Sequence, residues 1–291
     1  MDGIFNVLKP PGMTSQDVVA VLRRILKTKK VGHGGTLDPD ASGVLPVFAG
    51  TATRLLEFAV EGQKQYLVEI TLGQQTDTGD DSGQVVQEMP LPQLTEAVIQ
   101  EVLQGFLGPQ KQLPPMYSAI KINGQKLYQL ARKGVEVERT PRDIEVYRLE
   151  LLSFSERTLT LAVDCSKGTY IRVLGEDIAK ALGTCGTMSF LLRTQVGPYQ
   201  LANSHSIQEI EQDPQGCCQE PVTAVTHLPQ VSLTPKQADR ITNGVRTTVQ
   251  EVDEGRCVLL GPEGQFLGIG KCLEGRIQAE KIFAHYRVEE A

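Results

Sequence analysis

The chain has 291 residues, enough for two domains at roughly 150 residues each. Hydrophobic residues make up 40% and charged residues 22%, which supplies a packed core and excludes global disorder. The 29 basic and 35 acidic residues leave a net charge of −6. That balance excludes a surface coated throughout with nucleic-acid-binding charge, but not a local basic groove, because a ligand responds to the nearby field more than to the total.

No apolar run approaches the ~20 residues of a membrane span. The opening MDGIFNVLKPPGMTS lacks the basic and apolar regions of a secretory signal, so a cytoplasmic protein is expected. Cys165, Cys185, Cys217, Cys218, Cys257 and Cys272 form no C-x-x-C pair. They have no zinc spacing with His33, His205, His227 or His285 either. Reduced, structural thiols and no metal are the expectation.

Thr14-Ser15-Gln16-Asp17 has capping-box character, and Val18, Leu22, Ile25 and Leu26 repeat at helical spacing behind it. The basic end of that helix, Lys27 to Lys30, suits the negative pole of its dipole. Residues 32–46, GHGGTLDPDASGVLP, carry four glycines and two prolines and read as an ordered loop, neither helix nor central strand. Tyr66, Val68, Ile70 and Leu72 alternate along a strand. Residues 74–84 read as a polar turn, and a helix follows over 95–104, opened by Thr95 and closed by Gly105.

The segment 113–134 mixes turn signals with aromatic and basic residues. Two strands are expected near 144–152 and 158–165, then a helix from Val173 to Leu182 stopped by Gly183. Residues 203–230 read as a polar, loop-like connection. The last sixty residues carry one short helix, opened by Thr234-Pro235 and closed by Asn243-Gly244. Several short strands separated by glycines complete a small β-rich module of barrel type. A boundary near Gln230 divides the chain into 1–230 and 231–291.

The loop at 32–46 has no Gly-Lys-Ser/Thr ending and no G-x-G-x-x-G, so it is not a nucleotide-binding loop. It presents His33, Asp38 and Asp40 among glycines and prolines. Alone, an Asp before Pro is a turn residue and His33 a loop histidine. Basic residues gather at Arg23, Arg24, Lys27, Lys29 and Lys30, and again at Lys121, Lys126, Arg132, Lys133, Arg139 and Arg142. Each cluster alone would be a solvated face.

The string GTLDP resembles the second motif of the TruB family of tRNA pseudouridine synthases. Other segments resemble that family's motifs in its order: NVLKPPGMTS, KQYLVEITLG, PPMYSAIKINGQKLYQLARKG, CSKGTYIRVLGEDIAKALG and FLLRTQVGPY. The tail resembles the small PUA-like RNA-binding domain of many members. Two departures stand out: Leu191-Leu192-Arg193-Thr194 where the family often has Leu-Arg-Arg-Thr, and Asp40 where an apolar or small residue is usual.

The resemblance implies an α+β fold, a mixed, largely antiparallel sheet flanked by helices with a small barrel-like C-terminal domain. It implies a cofactor-free isomerisation of uridine 55 in the T-arm of tRNA. On the matching positions Asp38 becomes the catalytic carboxylate, Arg172 its cationic partner, and Tyr66 the ring that stacks on the uracil. Tyr170 and Leu191 would line the pocket, with His33 helping to hold the flipped-out nucleotide. Lys9 and Pro10 would support the loop from below. In an insertion near 110–140, Lys121, Lys126, Arg132 and Lys133 would grip phosphates. The chain ends at HYRVEEA without a basic tail, which favours a stand-alone monomer without an obligate protein partner over a guide-dependent synthase. A non-catalytic RNA-binding or tRNA-folding protein is the other alternative.

Overall fold

Two sheets organise the computed structural model of the chain, described for residues 1–59, 62–122, 124–249 and 252–286. The larger runs in the order Cys218–Gln219, Gly3–Lys9, Ser42–Ala49, Gly186–Val196, Lys64–Leu72, Thr158–Cys165, Arg142–Phe154 and Gly108–Gln112. Val31–His33 adds to Ser42–Ala49, and Tyr199–Gln200 to Gly186–Val196. Its pairings are antiparallel except one, where Leu192 and Arg193 run parallel to Ser42 and Gly43. The fold is α+β, as the sequence pattern and the family resemblance implied.

Period-2 alternation explains the centre of this sheet. Val68, Ile70 and Leu72 of one strand, and Leu159, Leu161, Val163 and Cys165 of the next, are all buried in one cluster. Leu174 and Ile178 of the helix Ile171–Ala181 cover them. The helices start where short polar side chains offer acceptors to free amides. Thr14 and Asp17 form a capping box before Ser15–Ile25, and Thr95 caps Glu96–Gln104 ahead of Gly105.

Residues 32–46 are not one loop. Their ends are strands, and Pro46 lies inside Ser42–Ala49 opposite Asn6. The Pro46 carbonyl accepts from the Gly34 amide at 2.8 Å, so its nitrogen faces the same side. On that side Val31–His33 has just ended and the pairing with Gly186–Val196 covers only Ser42 and Gly43. The proline therefore forgoes only the reciprocal bond to Gly34, at the end of that ladder. Gly43 is required for the parallel contact: its φ is +109°, and a Cβ there would stand 2.2 Å from the Arg193 carbonyl oxygen.

Two further stretches are more regular than their polarity suggested. The expected turn at 74–84 is the tip of a hairpin, Gln74–Thr76 against Val85–Glu88. Within 203–230, Ser206 and Glu209 cap the helix Ile207–Gln212, and Cys218–Gln219 closes the edge of the large sheet.

From Gln230 a second, curled sheet forms a half-barrel in the order Gln230–Ser232, Gly255–Leu260, Phe266–Leu273, Arg276–Ile282 and Thr247–Thr248. The helix Pro235–Thr242, capped by Thr234, packs Ala238 and Ile241 on one face. The other face is not free. Val258 and Ile269 share a core with Ile4, Phe48 and Phe58 of the large sheet region. Arg54 donates to the Ile282 carbonyl at 2.8 Å, Lys281 pairs with Glu57, and Arg256 and Lys281 stand over the Phe58 ring. The terminal residues 287–291, part of the tail that entered the sequence reading, lie outside the described residues. Among the described residues no helix is long and apolar enough to cross a membrane.

Candidate active site

The loop carrying Asp38 is held from below by buried donors. Ser15 Oγ accepts from the Leu37 amide at 2.8 Å and donates to its carbonyl at 3.1 Å. Lys9, fully buried, donates from Nζ to the carbonyls of Pro10 and Pro39, both at 2.8 Å. Burial lowers this ammonium to about 8, while Asp40 and Asp38 favour its charge. Lys9 and Pro10 thus lie beneath the loop.

Arg193, also fully buried, reaches the loop from the strand Gly186–Val196. Its Nε donates to the Val44 carbonyl at 2.9 Å, Nη1 to Thr36 at 3.2 Å and Nη2 to Gly35 at 3.1 Å. Its positive charge also acts on the nearby Tyr66 hydroxyl, favouring ionisation. Five donors in a rigid fork suit such a crossing, which a lysine could not span.

Above this base Asp38 meets Arg172 at two points, Nη2 donating to Oδ1 at 3.2 Å and Nε standing 3.0 Å from Oδ2 as an ion pair. Such a fork fixes both position and orientation of a carboxylate. Arg172 is itself locked, donating to the carbonyls of Thr78 at 2.7 Å and Tyr117 at 2.9 Å. A second carboxylate, Asp80 Oδ2, stands 3.6 Å from Nε. Asp80 is oriented by Thr78 Oγ1 at 2.7 Å and by the Ser82 amide at 3.1 Å. The Asp38 side chain is 34% exposed, so it faces a cleft and not the core. Burial pushes its carboxyl above the usual carboxylate range against the pull of Arg172, and Asp80 adds to the push.

Two clefts, about 320 and 240 Å³, share Asp38 and Leu191. The smaller one brings together Asp38, Tyr66, Tyr170, Arg172 and Leu191 from four separate segments. Tyr66 is 7% exposed, and burial pushes its phenol up to about 12, with Arg193 pulling it back toward ionisation. The backbone of Tyr170 is fixed by both ends of the Gln112 amide, at 2.8 and 3.1 Å. His33 ends its strand outside the lining of both clefts. Its Nδ1 is buried without a partner among the described residues, and burial lowers its pKa.

The four insertion cations stand apart from the clefts. Lys121 and Lys126 face each other in a short antiparallel pair, Lys121–Ile122 with Gln125–Lys126. Lys126 and Arg132 lie over the Tyr128 ring at 5.5 and 5.6 Å, while Lys133 is exposed.

Sequence reasoning passed over three residues of the site. Asp80 lies in TDTGDDSG, read as a turn. Arg193 was noted only for its neighbour Leu192. Lys64, which lines the smaller cleft, precedes Tyr66 in KQY. A buried arginine with no carboxylate and a lysine opening an apolar strand carry no local signal.

Family models agree with this architecture. The N-terminal domain of TruB family pseudouridylate synthases matches residues 23–171, the C-terminal domain of tRNA pseudouridylate synthase B residues 172–218, and the C-terminal domain of pseudouridine synthase II TruB residues 229–283. A tRNA pseudouridine synthase B of Caldanaerobacter subterraneus subsp. tengcongensis is 46% identical over 97% of this chain and 99% of its own. One from Heliobacterium mobile is 43% identical over 94% and 91%. In three dimensions the chain is similar to one in the crystal structure of a Cbf5–Nop10–Gar1 complex, with a TM-score of 0.77 and 27% identity. That match covers 97% of this chain and 85% of the other. Spanning almost the entire sequence, these likenesses establish that the chain belongs to the TruB family of pseudouridylate synthases, which are isomerases.

Proposed function

We propose that the chain converts uridine 55 in the T-arm of tRNA to pseudouridine, with Asp38 as the catalytic carboxylate. The N1–C1′ bond breaks, C5 bonds to C1′, N1 gains a proton and C5 loses one, so atoms balance without a co-reactant. The observation that carries this reading is the forked Asp38–Arg172 pair, open to a cleft with Tyr66 on its wall. A carboxylate beside the sugar can stabilise or trap the carbon left electron-poor by glycosidic cleavage. Arg172 favours the ionised form of that carboxylate and so opposes the effect of burial. Tyr66 stacks on the uracil, and its hydroxyl oxygen takes the C5 proton while passing its own onward.

The target base is stacked in folded tRNA, so it must be flipped out at a cost of a few kcal/mol. His33, with an unpartnered buried nitrogen, helps to hold that arrangement, and Tyr170 and Leu191 line the seat. Lys121, Lys126, Arg132 and Lys133 grip phosphates, which positions the stem-loop without reading its sequence. Residues 1–230 form the catalytic domain and 231–291 a PUA-like RNA-binding domain. The enzyme works in the cytoplasm.

Incubating pure protein with unmodified tRNA and no cofactor, followed by pseudouridine mapping, tests this directly. Modification at position 55 is expected. Asp38→Asn, nearly isosteric, should lose turnover and keep tRNA affinity. Modification elsewhere, or multiple turnover by pure Asp38→Asn protein, overturns the assignment. Greater identity to a tRNA pseudouridine synthase B than to the chain from the Cbf5–Nop10–Gar1 complex, 46% against 27%, favours activity on tRNA outside such a complex.

A further inference from the structure

Lys64 is a half-buried cation that the proposed chemistry leaves without a task. It opens the strand Lys64–Leu72 two residues before Tyr66, opposite Cys165 on one neighbouring strand and Val196 on the other. It lines the cleft that holds Asp38, Tyr66 and Tyr170. Among the described residues no hydrogen-bond acceptor or carboxylate meets its ammonium.

A second cation lies close by. Lys64 Nζ and Arg193 Nη1 are each 3.7 Å from the point where a Gly35 Cβ would stand, so they are no more than twice that distance apart. Gly35 has φ +118° and no side chain, which leaves the notch between them open. Arg193 spends its donors on three carbonyls, and among the described residues no carboxylate pairs with it. On the opposite wall Arg172 faces two carboxylates. The Lys64 side of the cleft therefore holds one buried and one half-buried positive charge with no carboxylate paired to either among the described residues.

Burial, with repulsion from Arg193 and Lys167 and against the influence of Cys165, lowers the Lys64 ammonium to about 8. A cation in that setting gains most from an anion. A uracil carbonyl supplies a hydrogen bond but no charge, whereas RNA brings one negative charge per nucleotide. A nucleotide whose sugar sits at Asp38 carries its two phosphates within one nucleotide's length of that point.

We infer that Lys64 binds a phosphodiester flanking the target uridine, in the notch left open by Gly35, with Arg193 adding its field from behind. This rests on the reading that the cleft takes a uridine of RNA. Lys64 is then a substrate-binding residue inside the cleft, separate from the basic insertion outside it.

Binding of a T-arm stem-loop across a salt titration tests the inference, with wild type, Lys64→Gln and Lys64→Arg. Lys64→Gln should weaken binding at low salt by about tenfold. It should also reduce the slope of log affinity against log salt by roughly 0.7 to 0.9, the share of one phosphate. Lys64→Arg should restore the slope. A single neutral methylphosphonate at one of the two flanking positions should cost wild type about as much as Lys64→Gln does, and cost the variant nothing further. An unchanged slope in Lys64→Gln overturns the inference, as does full additivity at both flanking positions. If Lys64→Gln fails to fold, the methylphosphonate series on wild type decides: its slope must drop by one contact at one flanking position, and equal slopes at both overturn the idea. If wild type neither binds nor modifies the stem-loop, the functional reading itself fails, and that is seen before any variant is compared.

Discussion

Arg172→Lys separates what the guanidinium does from what its charge does. Arginine makes two contacts with Asp38, a hydrogen bond at 3.2 Å and an ion pair at 3.0 Å, and bonds the carbonyls of Thr78 and Tyr117 at 2.7 and 2.9 Å. An ammonium keeps the charge but cannot bridge both carboxylate oxygens in one plane while reaching both carbonyls. At least two of the four contacts are lost. At ~1.5–3 kcal/mol for a bond to a charged group, that amounts to about 3–6 kcal/mol in a dry site. Because the Asp38 side chain is 34% exposed, water replaces part of the loss, and a destabilisation of roughly 2–3 kcal/mol is expected. The larger effect falls on the chemistry. A carboxylate displaced by ~1 Å costs on the order of a hundredfold in rate. Single-turnover pseudouridine formation at saturating enzyme measures the rate, urea unfolding the stability, and filter binding the affinity, which should change little. A rate within about fivefold of wild type together with wild-type stability would refute the reasoning and reduce Arg172 to a source of charge.

On the proposed mechanism Asp38 acts as an ionised carboxylate, and its carboxyl lies above the usual range, so the single-turnover rate should climb with pH through that raised value and then level off. Asp80 is one cause of the upward shift, so Asp80→Asn should move the acid limb to lower pH; movement to higher pH contradicts this. Tyr66→Phe should lose activity strongly but unfold within about 1 kcal/mol of wild type, because Arg193 keeps its three carbonyls. Activity within a few-fold of wild type would make Tyr66 a stacking residue only. Replacing Arg132 and Lys133 with Gln should flatten the salt dependence of tRNA binding by at most about 2 in slope. The chemical step at saturating enzyme should stay unchanged, and an unaltered slope would leave the grip to other cations.

Several elements were legible because their signals are local. Thr95 and Gly105 bracket Glu96–Gln104, and Thr234, Pro235 and Asn243 bracket Pro235–Thr242. Caps work through amides within three residues, so four or five letters suffice to place them. The alternation from Tyr66 to Leu72 is likewise complete within one strand. Pro46 was misread because its effect depends on what lies across from it. In the middle of a fully paired strand it would interrupt the ladder, but here its nitrogen faces the last residue of a short partner strand's extension, where only one bond is forgone. The strand Cys218–Gln219 escaped notice for a related reason: two residues become a strand only because Ile4 and Phe5 lie beside them.

The residues of the site divide along the same line. Asp38, Tyr66 and Arg172 could be picked out because ordered motifs resemble one family; taken singly they read as a turn aspartate, a core tyrosine and a surface arginine. The sequence by itself determined the fold class, the candidate residues and the family to which they point. Only the tertiary structure decided that Asp38 and Arg172, 134 residues apart, meet as a fork, and that Asp80 joins them. It also decided that Arg193 holds the loop of Asp38 through the carbonyls of Gly35 and Thr36, and that Lys64 faces the same cleft with no carboxylate paired to it among the described residues. Local pattern reports which face of a helix or strand is buried, whereas the partner of a buried charge is chosen by sheet order and register, which bring distant segments within 3 Å.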